Sequence, residues 1–223
     1  MSFKRRLPLI TGEYYHVYNR SIGKASIFEK THHLYRAIET IDYYRHFTLL
    51  SFSKFQRLTG ELKYEFSLIK KKQQPLVEIY AFSLMPNHFH FELKQLVDNG
   101  IQKFLTNFQN SYAKYYNTIE ERVGGLFQDR FKAKRINTAE EFTHVSRYIH
   151  LNPVTSSLIS FEELAFYPFS SYMWYLNPLI NRFVNTEVVL NHFKSLSHYS
   201  KFISNHVAYQ KKIKKIRRLL IDG

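Results

Sequence analysis

The stretch Glu78-Ile79-Tyr80-Ala81-Phe82-Ser83-Leu84-Met85-Pro86-Asn87-His88-Phe89-His90-Phe91-Glu92-Leu93 decides the fold. Residues 78–84 are aromatic and aliphatic, with no Gly or Pro, and read as a short strand. Met85-Pro86-Asn87 reads as a turn. Residues 88–93 then read as the returning strand of a hairpin. Alternate residues of a strand share a face. His88, His90 and Glu92 therefore lie on one side of it, and Phe89 and Phe91 on the other.

Outward from this hairpin the chain alternates between strand and helix patterns. Residues 13–19, rich in Tyr and Val, read as a strand. Residues 28–47 read as a helix, with Leu34, Ile38 and Ile41 at helical spacing. Residues 52–72 are a weaker helical stretch, broken at Thr59-Gly60 and ending in Lys70-Lys71-Lys72. Residues 101–119 form an amphipathic helix with Ile101, Phe104, Leu105, Phe108, Tyr112 and Tyr115 on one side. Gly124-Gly125 breaks the chain. Thr138, with Glu141 three residues on, has the pattern of a capping box. The helix it opens carries Phe142, Val145 and Ile149 on its buried stripe and is expected to stop at Pro153, because the residue before a proline is biased away from helical geometry. After Pro168 further helices are expected, the last from about 207 to 220. The fold class is α+β, with a helical C-terminal extension.

Composition narrows the function. The chain has 223 residues, 44% hydrophobic and 22% charged, so it is globular. It has no Cys, which excludes disulfides, thiolate metal sites and cysteine nucleophiles and is compatible with a reducing cytoplasm. No apolar run is long enough to span a membrane. The N-terminus lacks the apolar core of a secretory signal, so a cytoplasmic location is expected. Lys+Arg number 32 against 18 Asp+Glu, a net +14. That surplus favours a polyanionic partner, nucleic acid first. With 17 Tyr and 20 Phe, rings are available for bases to stack on, although most are expected in the core.

His88-Phe89-His90 is the one His-x-His in the chain. Two imidazoles side by side can hold a divalent metal. With 11 His in the chain, about 0.5 such pairs arise by chance, so spacing alone leaves two ordinary strand histidines as an open reading. Glu92 shares their face and is either a further ligand or a solvated carboxylate. On the capped helix, Tyr148 and Asn152 are four apart and stack on one face. They are either ordinary packing or a nucleophile beside a ligand.

Five stretches together resemble one family: Tyr14-Tyr15-His16-Val17-Tyr18-Asn19-Arg20; Ala81 through His90; Gly125-Leu126-Phe127-Gln128-Asp129-Arg130-Phe131-Lys132; Arg147-Tyr148-Ile149-His150-Leu151-Asn152-Pro153-Val154; and Tyr167-Pro168-Phe169-Ser170-Ser171-Tyr172. The chain resembles the single-tyrosine HUH transposases, and within them the REP-associated tyrosine transposases. The resemblance implies a ferredoxin-like or RRM-like antiparallel sheet with helices on one face. It implies that His88 and His90, with Asn152, hold a catalytic Mg²⁺ or Mn²⁺, and that Tyr148 is the nucleophile. Tyr112, Tyr115 and Tyr116 also lie on a helix, but only Tyr116, with Glu120, has an arguable ligand four residues on. The implied activity is cleavage and rejoining of single-stranded DNA, hairpin DNA above all, through a 5′-phosphotyrosine, by a monomer or homodimer. Residues 1–175 would form the catalytic domain, with an insertion at about 48–75, and residues 176–223 a basic helical extension. Arg130, Lys132, Lys134 and Arg135 are the first candidates for DNA contact, and Lys214, Lys215, Arg217 and Arg218 the second. Two other classes fit less of the pattern. One is a nucleic-acid-binding module that stacks bases on Tyr14, Tyr18 and Phe82. The other is a metallohydrolase using His88 and His90 to activate water.

Overall fold

The structure, a computed structural model, describes residues 8–212. Four strands form one sheet: β1 (Tyr14–Arg20), β2 (Val77–Met85), β3 (His88–Gln95) and β4 (Lys132–Ile136). Their spatial order is β2-β3-β1-β4, and every pair is antiparallel. Helix α1 (Thr31–Tyr44) connects β1 to β2 by way of α2 (Phe52–Gln56) and α3 (Gly60–Lys72), and α4 (Gly100–Ile119) connects β3 to β4. This βαββαβ order is the ferredoxin-like arrangement. The region expected to be inserted between the first helix and the metal strand supplies α2 and α3. Thr59 and Gly60 fall at the start of α3, where the sequence breaks.

The hairpin β2–β3 turns on Pro86 and Asn87, with Met85 opposite His88. One face of β3 is apolar, and α4 packs on it. The Phe89 ring lies 5.4 Å from Phe108 and the Phe91 ring 5.7 Å from Phe104. Leu34, Ile38 and Ile41 of α1 fill the same buried layer. Each such side chain stabilises the fold by roughly 1.5–3 kcal/mol on full burial. Gly100 opens α4 because a Cβ there would come within 2.2 Å of the Leu76 carbonyl oxygen.

Helix α5 (Ala139–Thr155) crosses the opposite face, so the sheet is covered on both sides. Thr138 caps it as expected, accepting from the Glu141 amide at 3.0 Å. The Glu141 carboxylate returns to the Asn137 amide at 2.8 Å, one residue before the expected partner. Contrary to expectation, Pro153 does not stop this helix, which runs on to Thr155. Pro153 removes a single amide donor. The ladder resumes beyond it, with Ser156 donating to the Asn152 carbonyl at 3.0 Å. Pro153 and Val154 are buried, so tertiary packing outweighs the local penalty.

Residues after Pro168 cover the outer edge of β2. The Leu84 amide donates to the Phe169 carbonyl at 2.9 Å, and the Ser171 amide to Phe82 at 3.0 Å. Short helices α6 (Tyr172–Leu176), α7 (Glu187–Leu190) and α8 (Leu196–Ser204) follow. Val189, Tyr199 and Ile203 are wholly buried and belong to the same core. Residues 207–212 are helical, at the start of the expected basic helix. Lys214, Lys215, Arg217 and Arg218 lie outside the described residues.

Candidate active site

Strand alternation brings His88 and His90 to the α5 side of the sheet, and their rings are 5.1 Å apart. Helix α5 places Tyr148 over them. Its ring lies edge-on to His90, centroid to centroid at 5.7 Å. Tyr148 is 37% exposed, in contrast to the fully buried Ile149 and His150 that follow it. Asn152 stands one turn further along α5. It is 2% exposed, and its Nδ2 makes no hydrogen bond.

Each imidazole of the pair has one nitrogen already engaged. His88 Nδ1 donates to Asn87 Oδ1 at 2.6 Å. His90 Nδ1 is 2.9 Å from His16 Nε2, the two sharing one proton donor. His16 is the residue that sequence reasoning missed as a member of the site. Its ring stacks on His90 at 5.2 Å and lies edge-on to Tyr148 at 5.6 Å. Burial, reinforced by the nearby Lys134 charge, pulls its pKa down to about 4, so it is a neutral imidazole at pH 7. A signal was present in the sequence: His16 alternates with Tyr14 and Tyr18 on one face of β1. Its partner, however, is set by strand register.

Glu92 shares the strand face but is wholly buried, and neither carboxylate oxygen has a hydrogen-bond partner. Burial pushes its carboxyl well above the ordinary range. It is therefore not a solvated carboxylate, the open reading of the sequence. His150, also buried, points away from the metal-type pair. Its Nδ1 is 2.6 Å from the Tyr199 hydroxyl and its Nε2 2.7 Å from Ser171 Oγ. Burial lowers its pKa to about 3. It ties α5 to α8 and to the segment that covers β2.

The rival tyrosines lie elsewhere. Tyr112 is buried and donates to the Ile27 carbonyl, and Tyr116 donates to the Ser26 carbonyl at 3.2 Å, both on α4, across the sheet from α5. Neither lies beside the histidine pair.

The basic residues separate by strand register. Lys132 pairs with Tyr18 and Lys134 with His16 across β1–β4, so both share the histidine face. Lys132 Nζ is 5.9 Å from the Tyr18 ring, which itself stacks on His90 at 5.4 Å. Arg135 pairs with Tyr15 on the opposite face, and its Nη2 is 2.6 Å from Glu13 Oε1. Lys134 Nζ reaches Glu141 at 3.3 Å. Arg130 is exposed in the loop before β4. No helix among the described residues is long and apolar enough to cross a membrane.

Comparison with known proteins gives one family match. Residues 39–152, just over half of the chain, match the IS200-like transposase family. No curated protein matches. The solved structures that this chain is similar to include these two. One is a REP-associated tyrosine transposase bound to a REP hairpin, 16% identical, with 82% of this chain and 89% of that chain covered and a TM-score of 0.49. The other is a candidate transposase from Deinococcus radiodurans R1, 12% identical, with 66% and 95% covered and a TM-score of 0.34.

Proposed function

Because the chain belongs to the IS200-like transposase family, we propose that it cleaves and rejoins single-stranded DNA with Tyr148 as nucleophile. The observation that carries this reading is the Tyr148 ring set edge-on to His90, on the face that also bears His88. Tyr148 is half-exposed while its neighbours are buried, so its side chain stands open to a DNA strand.

The site fits a divalent metal. Two imidazoles have their Nδ1 atoms engaged, so Nε2 is the nitrogen each would turn to an ion, and the Asn152 amide, buried one turn from Tyr148, would bind through its Oδ1. His88, His90 and Asn152 would hold the ion. These are neutral donors, which suit Mn²⁺ better than Mg²⁺. When bound, the ion supplies polarisation of the scissile phosphate and offsets its negative charge.

The chain's own residues perform the rest. The Tyr148 phenol loses its proton, and its oxygen forms a bond to phosphorus as the bond to the 3′-oxygen breaks. The 3′-oxygen takes up a proton. A 5′-phosphotyrosine and a 3′-hydroxyl result. The phosphotyrosine ester conserves the energy of the broken diester, so the reverse step reseals a strand without ATP. His16 orients His90 through their 2.9 Å contact, the role an outer imidazole plays in metal centres. Lys132 and Lys134 flank the same face and meet phosphates. Tyr18, beside His90, offers a ring on which a base can stack. Residues 1–175 carry the chemistry, with α2 and α3 of the 48–75 segment as an insertion. Of the extension at 176–223, Tyr199 braces α5 through His150, and Lys214, Lys215, Arg217 and Arg218, outside the described residues, are the second candidates for DNA contact. The motif resemblance makes hairpin DNA of the REP type the expected substrate.

A labelled pool of single-stranded hairpins, mixed with protein and Mn²⁺ and run on a denaturing gel, tests the proposal. A metal-dependent labelled band at protein mass is expected. Bound but uncut DNA would favour a binding module, and cut ends without attached protein would favour water as nucleophile.

A further inference from the structure

A second cluster of ligand-type side chains lies on the side of the sheet covered by α1 and α4, away from His88 and His90. His33, in the first turn of α1, is 2% exposed, and its ring is wedged against Tyr115 at 5.6 Å and Tyr116 at 4.9 Å. Its Nε2 is 2.9 Å from Glu120 Oε1, and its buried Nδ1 has no hydrogen-bond partner. Glu120 caps the C-terminal end of α4. The exposed His32 ring lies 4.2 Å from that of His33. One ligand atom from each of His32, His33 and Glu120 falls within 4.8 Å of the others. A cation already occupies the carboxylate: Lys30 Nζ is 2.6 and 2.9 Å from its two oxygens.

We propose that His32, His33 and Glu120 form a zinc site, in which the ion takes the place of the Lys30 ammonium and clips the start of α1 to the end of α4. Two imidazoles and one carboxylate are a donor set that tetrahedral zinc accepts, with water in the fourth position. Magnesium, which prefers an all-oxygen shell, fits this set poorly. Zn–N bonds are about 2.0–2.1 Å, so the donors must close slightly from their present spacing. His32 is the side chain that can do so, because its exposed ring can turn without disturbing the core. His33 and Glu120 are already in contact. Burial holds His33 below its ordinary pKa, which keeps its imidazole neutral for a metal. The Lys30 side chain of the competing pair is 56% exposed, so its ammonium can return to water when the ion displaces it.

The presence of Lys30 gives the test its sign. In a full-length protein carrying His88→Ala and His90→Ala, zinc titration by calorimetry should show one site. Adding His32→Ala should weaken that site by about tenfold or more. Adding Lys30→Met should instead tighten it, by about two- to fivefold, because the competing cation is gone. Zinc should also raise the thermal midpoint of the parent, and raise that of the His32→Ala protein by less at the same zinc concentration. His32 is exposed, so its replacement leaves the fold intact. Zinc affinity unchanged by His32→Ala, or unchanged or weakened by Lys30→Met, would overturn the proposal.

Discussion

Replacing Glu92 with Gln should stabilise the protein, and by more as pH rises. Glu92 is wholly buried, neither oxygen has a hydrogen-bond partner, and burial pushes its carboxyl well above the ordinary range. Its charge would also face the buried Tyr175 and Tyr199 phenols. In the unfolded chain a Glu ionises near pH 4.3. Above that pH the folded protein holds a proton that the unfolded chain has released, so stability falls as pH rises toward the folded pKa. While the unfolded Glu is ionised and the folded one is still protonated, the slope is about 1.4 kcal/mol per pH unit. A Gln side chain does not titrate, so the stability difference between the two proteins should grow with that slope as pH rises from about 4.3 toward the folded pKa. His16, His46 and His150, whose pKa values are lowered by burial, contribute with the opposite sign. Their folded forms release protons that the unfolded chain keeps, so their contribution rises with pH up to about 6.5, and it cancels in the difference. Urea unfolding at half-unit pH steps, with a chelator present and Trp174 fluorescence as signal, measures it. A difference that does not change with pH, or a Glu92→Gln protein that is less stable throughout, would refute the argument.

His16→Ala should weaken Mn²⁺ binding by about tenfold or more, read by paramagnetic resonance, with the far-ultraviolet circular dichroism unchanged. Lys132→Ala and Lys134→Ala should each lower the slope of log affinity against log salt for single-stranded DNA by roughly 0.7, whereas Arg135→Ala on the opposite face should leave it unchanged. Gly100→Ala should cost about 1–3 kcal/mol in thermal unfolding, because the new Cβ meets the Leu76 carbonyl oxygen and backbone has to move.

The hairpin, its alternation and the α4 stripe were legible because each is a local pattern with one apolar face. Phe89 and Phe91 on one side and His88 and His90 on the other follow from a period of two. Other features depend on register or on packing across long separations. β4 is a five-residue edge strand, Lys-Ala-Lys-Arg-Ile, too charged and too short to stand out. Without it, Arg135 could not be separated from Lys132 and Lys134. The partnership of His16 with His90 exists only because β1 inserts between β3 and β4. Pro153 carries the local signature of a helix stop, and burial of the turn that contains it overrides that signature. The motif at Tyr167–Tyr172 was legible as a family mark, but its physical work was not. It covers the outer edge of β2 and hands Ser171 to His150, which removes an edge that could otherwise pair with another chain.

Mass spectrometry of peptides from a reaction with single-stranded hairpin DNA and Mn²⁺ tests the central claim most directly. The account predicts one nucleotide-bearing peptide, with the 5′-phosphate on the Tyr148 oxygen and no such peptide from a Tyr148→Phe protein. A phosphotyrosine at another residue, or an adduct that survives Tyr148→Phe, would contradict it.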